Sequence, residues 1–442
     1  MASIPRHLWQ YRRERPLFVA ISVVTIVSLL GWLPVEHFLQ QMDVGIPYTF
    51  NDFSAYTTAL HRWLSGEIMY VPNAKGGYFG EFLYPPVTVL FFLPFATTGF
   101  VQGAMLFGAT SIVMLWVGIE AMARTLGYRL RIWERFALLV AIFAFQPAIR
   151  NFRWAQTATF LTGFLAFAFY FQERAEADGS LYDESELGDR AREWFKFLSG
   201  AFTTLGSSLK LFFATSGAHL LRDRTRFAGA MTAAAALLVL SLTLFGLDQN
   251  LQYLDVLMWG KGWGEGMPPY AWDASAAYAP LYLLGRFAIY VKIVGIFTVI
   301  GLTLTARDAE APSARHTTFA LGLAAIPLLA PKSESQDLIV LVVPAIVLLA
   351  NELDRPDGYA WIPVLSVFFV HFHRYVVELT THPDGQYLGA ALLYQFAAVL
   401  QPAAWATFML VGLAAYRVAE HASPPDLTAI RDRLLDRDRP PE

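Results

Sequence analysis

The chain has 442 residues, of which 55% are hydrophobic and only 16% charged. Soluble chains carry about 25% charge, so there are too few polar groups here to coat a globule. The net charge of −3 gives no footing for nucleic acid, and the lack of cysteine removes disulfides, thiolate catalysis and Cys-based metal sites.

The apolar residues fall in blocks of about 15 to 25, separated by short charged clusters, as expected for membrane-spanning helices. Arg6, Arg12, Arg13 and Arg15 precede the first block, Leu17 to Leu39, which is too long for a signal-peptide core. A mixed external loop follows over 40–84. Pro86 to Ala96 is short for a crossing and is expected to lie at the outer surface, leaving Val101 to Ala123 as the next span. That choice keeps Arg124, Arg129, Arg131 and Arg135 on the inner side.

Spans are then expected over Trp133 to Ile149 and Trp154 to Phe171, with an acidic connector from Gln172 to Arg192. A shorter pair turns at Lys210 and ends at Arg222, Arg224 and Arg226. Phe227 to Phe245 crosses outward, and a return span ends at Thr305. Four more cover Thr317 to Ala330, Leu338 to Ala350, Tyr359 to Val377 and Tyr387 to Tyr416. The positive-inside rule applied to these blocks gives about twelve spans with both termini cytoplasmic. The expectation is one all-α domain, residues 1–416, multi-pass in the cell membrane, followed by a charged cytoplasmic tail, 417–442.

Within the external loop, Phe53, Tyr56, Leu60, Trp63 and Leu64 share one helix face, which predicts an amphipathic helix on the bilayer surface. Asn51 or Asp52 would be its N-cap. Asp52 is equally suited to act as a base on an external hydroxyl, and the residues alone leave both roles open. Phe82-Leu83-Tyr84-Pro85-Pro86 forms a rigid aromatic return to the membrane, with Glu81 a second carboxylate just before it.

Asp52-Phe53 with Tyr56, then Gly66 and Tyr70, then Phe82 to Pro86, resembles glycosyltransferase family 87. Three later elements fit the same pattern: Pro147, Asn151 and Ala155-Gln156; Gly200, Gly206 and Leu209-Lys210; and Pro331-Lys332-Ser333. Ala155 stands where the family's Gly-Gln element has Gly. The family's Trp and paired His after the late loop are replaced by Glu334, Ser335, Gln336 and Asp337.

The resemblance implies a GT-C-type polytopic helical fold. It also implies transfer of a hexose, mannose above others, from a polyprenyl-phosphate donor to a lipid- or glycan-linked acceptor. In that family the Asp matching Asp52 is the base. Tyr56, Tyr84 and Gln156 would line the substrate site. Membrane lipids, donor and acceptor are the expected partners, with no nucleic acid and no cofactor.

Such a transfer needs cations for the departing phosphate. Lys210, Arg150, Arg153, Arg286 and Lys332 are the candidates. For Lys210 the competing role is snorkelling to outer headgroups; for Arg150 and Arg153, on an external turn, it is headgroup binding. His371 and His373, two apart, do not share a helix face, so no metal site is expected. The loop Trp259 to Gly266 suits an interfacial aromatic anchor, or a platform for sugar rings. A lipid-linked-glycan flippase is the alternative function, but the spans have almost no acidic residues to line a pathway.

Overall fold

The computed structural model describes residues 4–42, 47–73, 77–78, 82–176, 188–258, 278–331, 333–381, 392 and 395–422. Within these the chain is helical, apart from one two-residue antiparallel ladder pairing Pro72 with Tyr78 and Asn73 with Gly77.

The first helices are α1 (Ile4–Gln10), α2 (Pro16–Gln41) and α3 (Asn51–Leu64). A 3-10 segment, Pro86–Phe91, and the short α4 (Leu93–Ala96) lead to α5 (Phe100–Thr125). Next come α6 (Ile132–Ala144), α7 (Gln146–Trp154), α8 (Ala158–Glu176) and α9 (Asp189–Ser207). The 3-10 segment Leu211–Arg222 precedes α10 (Arg224–Met258), which breaks at Gly246 (φ 74°, ψ 172°), and another 3-10 segment, Tyr282–Phe287, precedes α11 (Ala288–Thr305). Then follow α12 (Pro312–Ala324), α13 (Ile326–Leu329), the 3-10 segment Asp337–Leu341 and α14 (Val342–Leu353). The last two are α15 (Trp361–Thr381) and α16 (Pro402–Ala419).

Among the described residues, five segments are long and apolar enough to cross a membrane: α2, α5, α10, the 3-10 segment with α11, and α16. Only 17% of the apolar stretch of α2 and of α10 is buried in protein, against 50% in α16. Val27, Leu238 and Val239 lie open on those helices. An apolar surface this extended requires lipid rather than water.

Three expectations change. Trp133 to Ile149 is not one straight span, because α6 and α7 meet at 67°. Pro147 lacks an N–H and its ring would clash one turn back, so a helix from α6 cannot continue through it. The chain extends at Phe145 (φ −68°, ψ 124°) and restarts. The apolar face of α3 packs on protein rather than on the bilayer: Phe53 and Tyr56 are fully buried, with Tyr56 stacked on Phe92 at 4.0 Å. Arg417, expected to open the tail, is instead buried in α16, and its Nε and Nη2 each donate to Glu352 at 2.7 Å.

Pro86 to Ala96, broken into 3-10 and α-helical turns ending before Gly99, has no continuous helix long enough to cross. Farther along, α9 and α10 press together backbone to backbone. A Cβ on Gly200 would overlap the Arg226 carbonyl, and one on Gly229 would overlap that of Phe197.

Candidate active site

The site is built from the start of α3, the α7–α8 junction, the turn at Lys210 and the loop before the third 3-10 segment. The α3 helix is anchored from outside itself: the N–H groups of Thr49 and Phe50 both donate to the Arg153 carbonyl, at 3.3 and 3.1 Å. Phe50, at φ 49°, is the N-cap, and no side chain caps this helix. Asp52 is therefore inside the first turn and does not serve as the cap. One of its oxygens, Oδ2, is buried without a hydrogen-bond partner.

The side chain of Gln156 hydrogen-bonds to Asp52. Its placement depends on Ala155, which ends α7 in the left-handed region at φ 54°. That geometry explains why glycine suits this position. The turn is closed by the Gln156 N–H donating to the Asn151 carbonyl at 2.8 Å.

The late loop folds over α7 and reaches the Lys210 turn. Arg150, fully buried, donates from Nη1 to Ser335 Oγ at 2.8 Å and lies over the Trp154 ring at 4.1 Å. Its Nε and Nη2 have no partner. Asn151 Nδ2 donates to the Gln336 carbonyl at 2.8 Å. Lys210 forms a buried ion pair with Asp337 Oδ1, and Asp337 Oδ2 accepts the Glu334 N–H at 3.0 Å. Tyr84 and Tyr56 face each other through their hydroxyls at 3.4 Å, and Tyr70 donates to the Tyr84 carbonyl at 2.5 Å.

Burial pushes the Asp52 carboxyl from its ordinary 3.8 up to about 7, with Glu334 adding to the rise. Lys210, Arg150 and the Gln156 hydrogen bond pull the other way. The result is a carboxyl that exchanges its proton near neutrality, within electrostatic reach of a cation with two vacant N–H donors. That combination can accept a proton from a hydroxyl and hold an oxyanion.

Of the residues singled out from the sequence, Asp52, Tyr56, Tyr84, Arg150, Gln156 and Lys210 come together here. Arg153 does not join them: its Nη1 pairs with Glu36 of α2 at 2.6 Å. Both arginines sit on the short α7, buried, rather than on an open external turn. Arg286 is exposed, over Phe287, away from this cluster. Glu81, Lys332 and the Trp259 to Gly266 loop lie outside the described residues.

His371 accepts the Gln146 N–H on Nδ1 at 3.2 Å, which gives it a structural task. Sequence reasoning gave no site role to Asn151, Glu334, Ser335 or Asp337, although the polar run 333–337 between apolar blocks was a signal for them.

Helices open to lipid and a buried, proton-exchanging carboxyl among cations define a helical membrane protein with an enzyme-like cluster. The chain belongs to glycosyltransferase family 87, whose sequence model it matches over residues 82–331, more than half its length. It is thus a glycosyltransferase by family. Asp52 lies ahead of the matched segment, whereas Tyr84, Arg150, Gln156 and Lys210 lie within it. No curated protein and no solved structure matches the chain.

Proposed function

We propose that the protein is an inverting GT-C-type transferase that moves a hexose, mannose foremost, from a polyprenyl-phosphate donor to a lipid- or glycan-linked hydroxyl. In this reading the chain crosses the membrane about twelve times, both termini are cytoplasmic, and the pocket faces the exterior. The shorter buried helices complete the spans that the five long ones begin. The observation that carries the proposal is the buried, unpartnered Asp52 Oδ2, with the unpartnered Nε and Nη2 of Arg150 within electrostatic reach of that carboxyl.

Asp52 takes the proton from the acceptor hydroxyl as its oxygen bonds to the anomeric carbon. The bond from that carbon to the phosphate oxygen breaks on the opposite face, and the phosphate leaves with the electron pair. Arg150, supported by Lys210, stabilises the charge that develops on the leaving oxygen. In-line displacement converts a β-linked donor into an α-linked product.

The test is transfer from radiolabelled polyprenyl-phosphate mannose in membranes, with wild type and Asp52→Asn compared at equal expression. Transfer that is inverting and abolished in the variant supports the proposal. Undiminished transfer by Asp52→Asn removes Asp52 as base, and a product retaining donor stereochemistry removes the one-step displacement.

A further inference from the structure

At the far end of α8 from Gln156 there is a cavity about 340 Å³ in volume. The 19-residue helix separates the two by about 28 Å. The cavity is lined by Arg222, Arg226, Arg307 and Arg315, with Glu176, Asp223 and Glu310. It gathers the ends of α8, the 3-10 segment 211–222 and α11 and the beginnings of α10 and α12, where the sequence concentrates arginine.

The acids around it are largely committed elsewhere. Glu176 pairs with Arg226 Nη2 at 2.7 Å. Glu173 receives Arg315 Nη2 at 3.2 Å, and His316 Nε2 lies 2.9 Å from the same oxygen. Asp223 accepts the backbone N–H groups of Thr225 and Arg226 at 2.9 and 3.0 Å, and also lies 3.5 Å from Lys196. Glu310 stays on the exposed rim.

Arg222 donates only to Thr318 Oγ1, at 3.2 Å, and to the Ala309 carbonyl, so among the described residues it has no carboxylate partner. Arg307, exposed at the mouth, has none either. The Nε groups of Arg226 and Arg315 are buried without acceptors. Four guanidinium groups meeting in one concavity, with donors left over, match the oxygens of a phosphate group.

Arg226 lies on α10 and Arg307 just past the end of α11, and both of these helices face lipid. Phe227 and Met231 of α10 and Leu304 of α11 are exposed beside the arginine ends. A headgroup in the cavity would keep its acyl chains against such surfaces. We propose that this cavity binds the phosphate headgroup of an anionic membrane phospholipid, as a site separate from the transferase pocket.

The experiment is native mass spectrometry of the full chain released from detergent with phosphatidylglycerol or phosphatidylcholine, for wild type, Arg307→Gln and Arg222→Gln, repeated with excess inorganic phosphate. Saturable retention of phosphatidylglycerol over phosphatidylcholine is expected, weakened about fivefold for each arginine removed. Should Arg222→Gln fold poorly, Arg307→Gln decides alone, since Arg307 is exposed and holds no carboxylate. Equal affinity in wild type and the folded variants would overturn the site. Full displacement of the lipid by inorganic phosphate at equal concentration would overturn its assignment to a lipid headgroup.

Discussion

Lys210 and Asp337, 127 residues apart in the chain, close a buried ion pair that ties the turn after α9 to the loop before α14. Both side chains are almost fully withdrawn from solvent, so neither charge has water to fall back on. Removing one partner of such a pair leaves an uncompensated buried charge, which costs about 3–5 kcal/mol. Lys210→Met and Asp337→Asn should each lower the thermal midpoint in detergent. The double change Lys210→Met with Asp337→Leu should recover most of that loss, while transfer stays impaired. Recovery of transfer along with stability would restrict the pair to a structural role.

Asp52 sets the pH dependence. With its carboxyl at about 7, kcat/KM should rise as pH passes through that value, because the base must be ionised. Glu334 raises the Asp52 value by its negative charge, so Glu334→Gln should move this limb to lower pH. The stability effect has the opposite sign. Below the ordinary 3.8 the carboxyl is neutral in both folded and unfolded chains. From there to about 7 only the unfolded chain ionises it, so folding loses stability as pH rises through that window. A pH–rate profile of wild type and Glu334→Gln that coincide would remove Glu334 from the electrostatics of the base.

Arg150 offers its vacant Nε and Nη2 while Nη1 is fixed on Ser335. Lysine keeps the charge but not the fork, and it cannot stack on Trp154 in the same way. Arg150→Lys should therefore lower kcat by about a hundredfold, the scale of losing one aimed donor to a developing oxyanion. Ser335→Ala should cost less, since it frees Arg150 without removing a donor. Equal losses for the two would indicate that positioning through Ser335 is what matters.

Ala155 holds a left-handed conformation with its side chain fully buried. Alanine tolerates φ 54° at a cost, and a β-branched residue there is a true outlier. Ala155→Val should destabilise the fold by more than about 2 kcal/mol, and Ala155→Gly should stay close to wild type. Thermal unfolding of the two variants separates them, and a Val variant as stable as wild type would contradict the strain.

The long lipid-facing helices were legible because hydropathy is a local property: α2 and α5 run within two residues of the apolar blocks Leu17 to Leu39 and Val101 to Ala123. The amphipathic α3 was legible too, from the spacing of Phe53, Tyr56 and Leu60. What covers its apolar face was not, because bilayer and protein core present the same chemistry to a sequence pattern. Arg153 was misjudged for a related reason. A buried arginine next to an apolar block looks like a headgroup ligand until Glu36, distant in sequence, is found 2.6 Å away. The residues of the late loop were visible as a departure from the family, yet their contacts with α7 and Lys210 depend on tertiary folding that no local signal encodes.

That Glu36 contact has a practical consequence for anyone handling the protein. Tyr375 donates to its other oxygen at 2.5 Å, and Trp32 Nε1 donates to the Tyr375 hydroxyl at 3.0 Å. Helix α2 thus holds α15 and, through Arg153, the backbone carbonyl from which α3 hangs. An expression version trimmed of its N-terminal forty residues would keep the family-matched stretch intact and still lose the bracket that presents Asp52. Trimming from that end is a change to the active site.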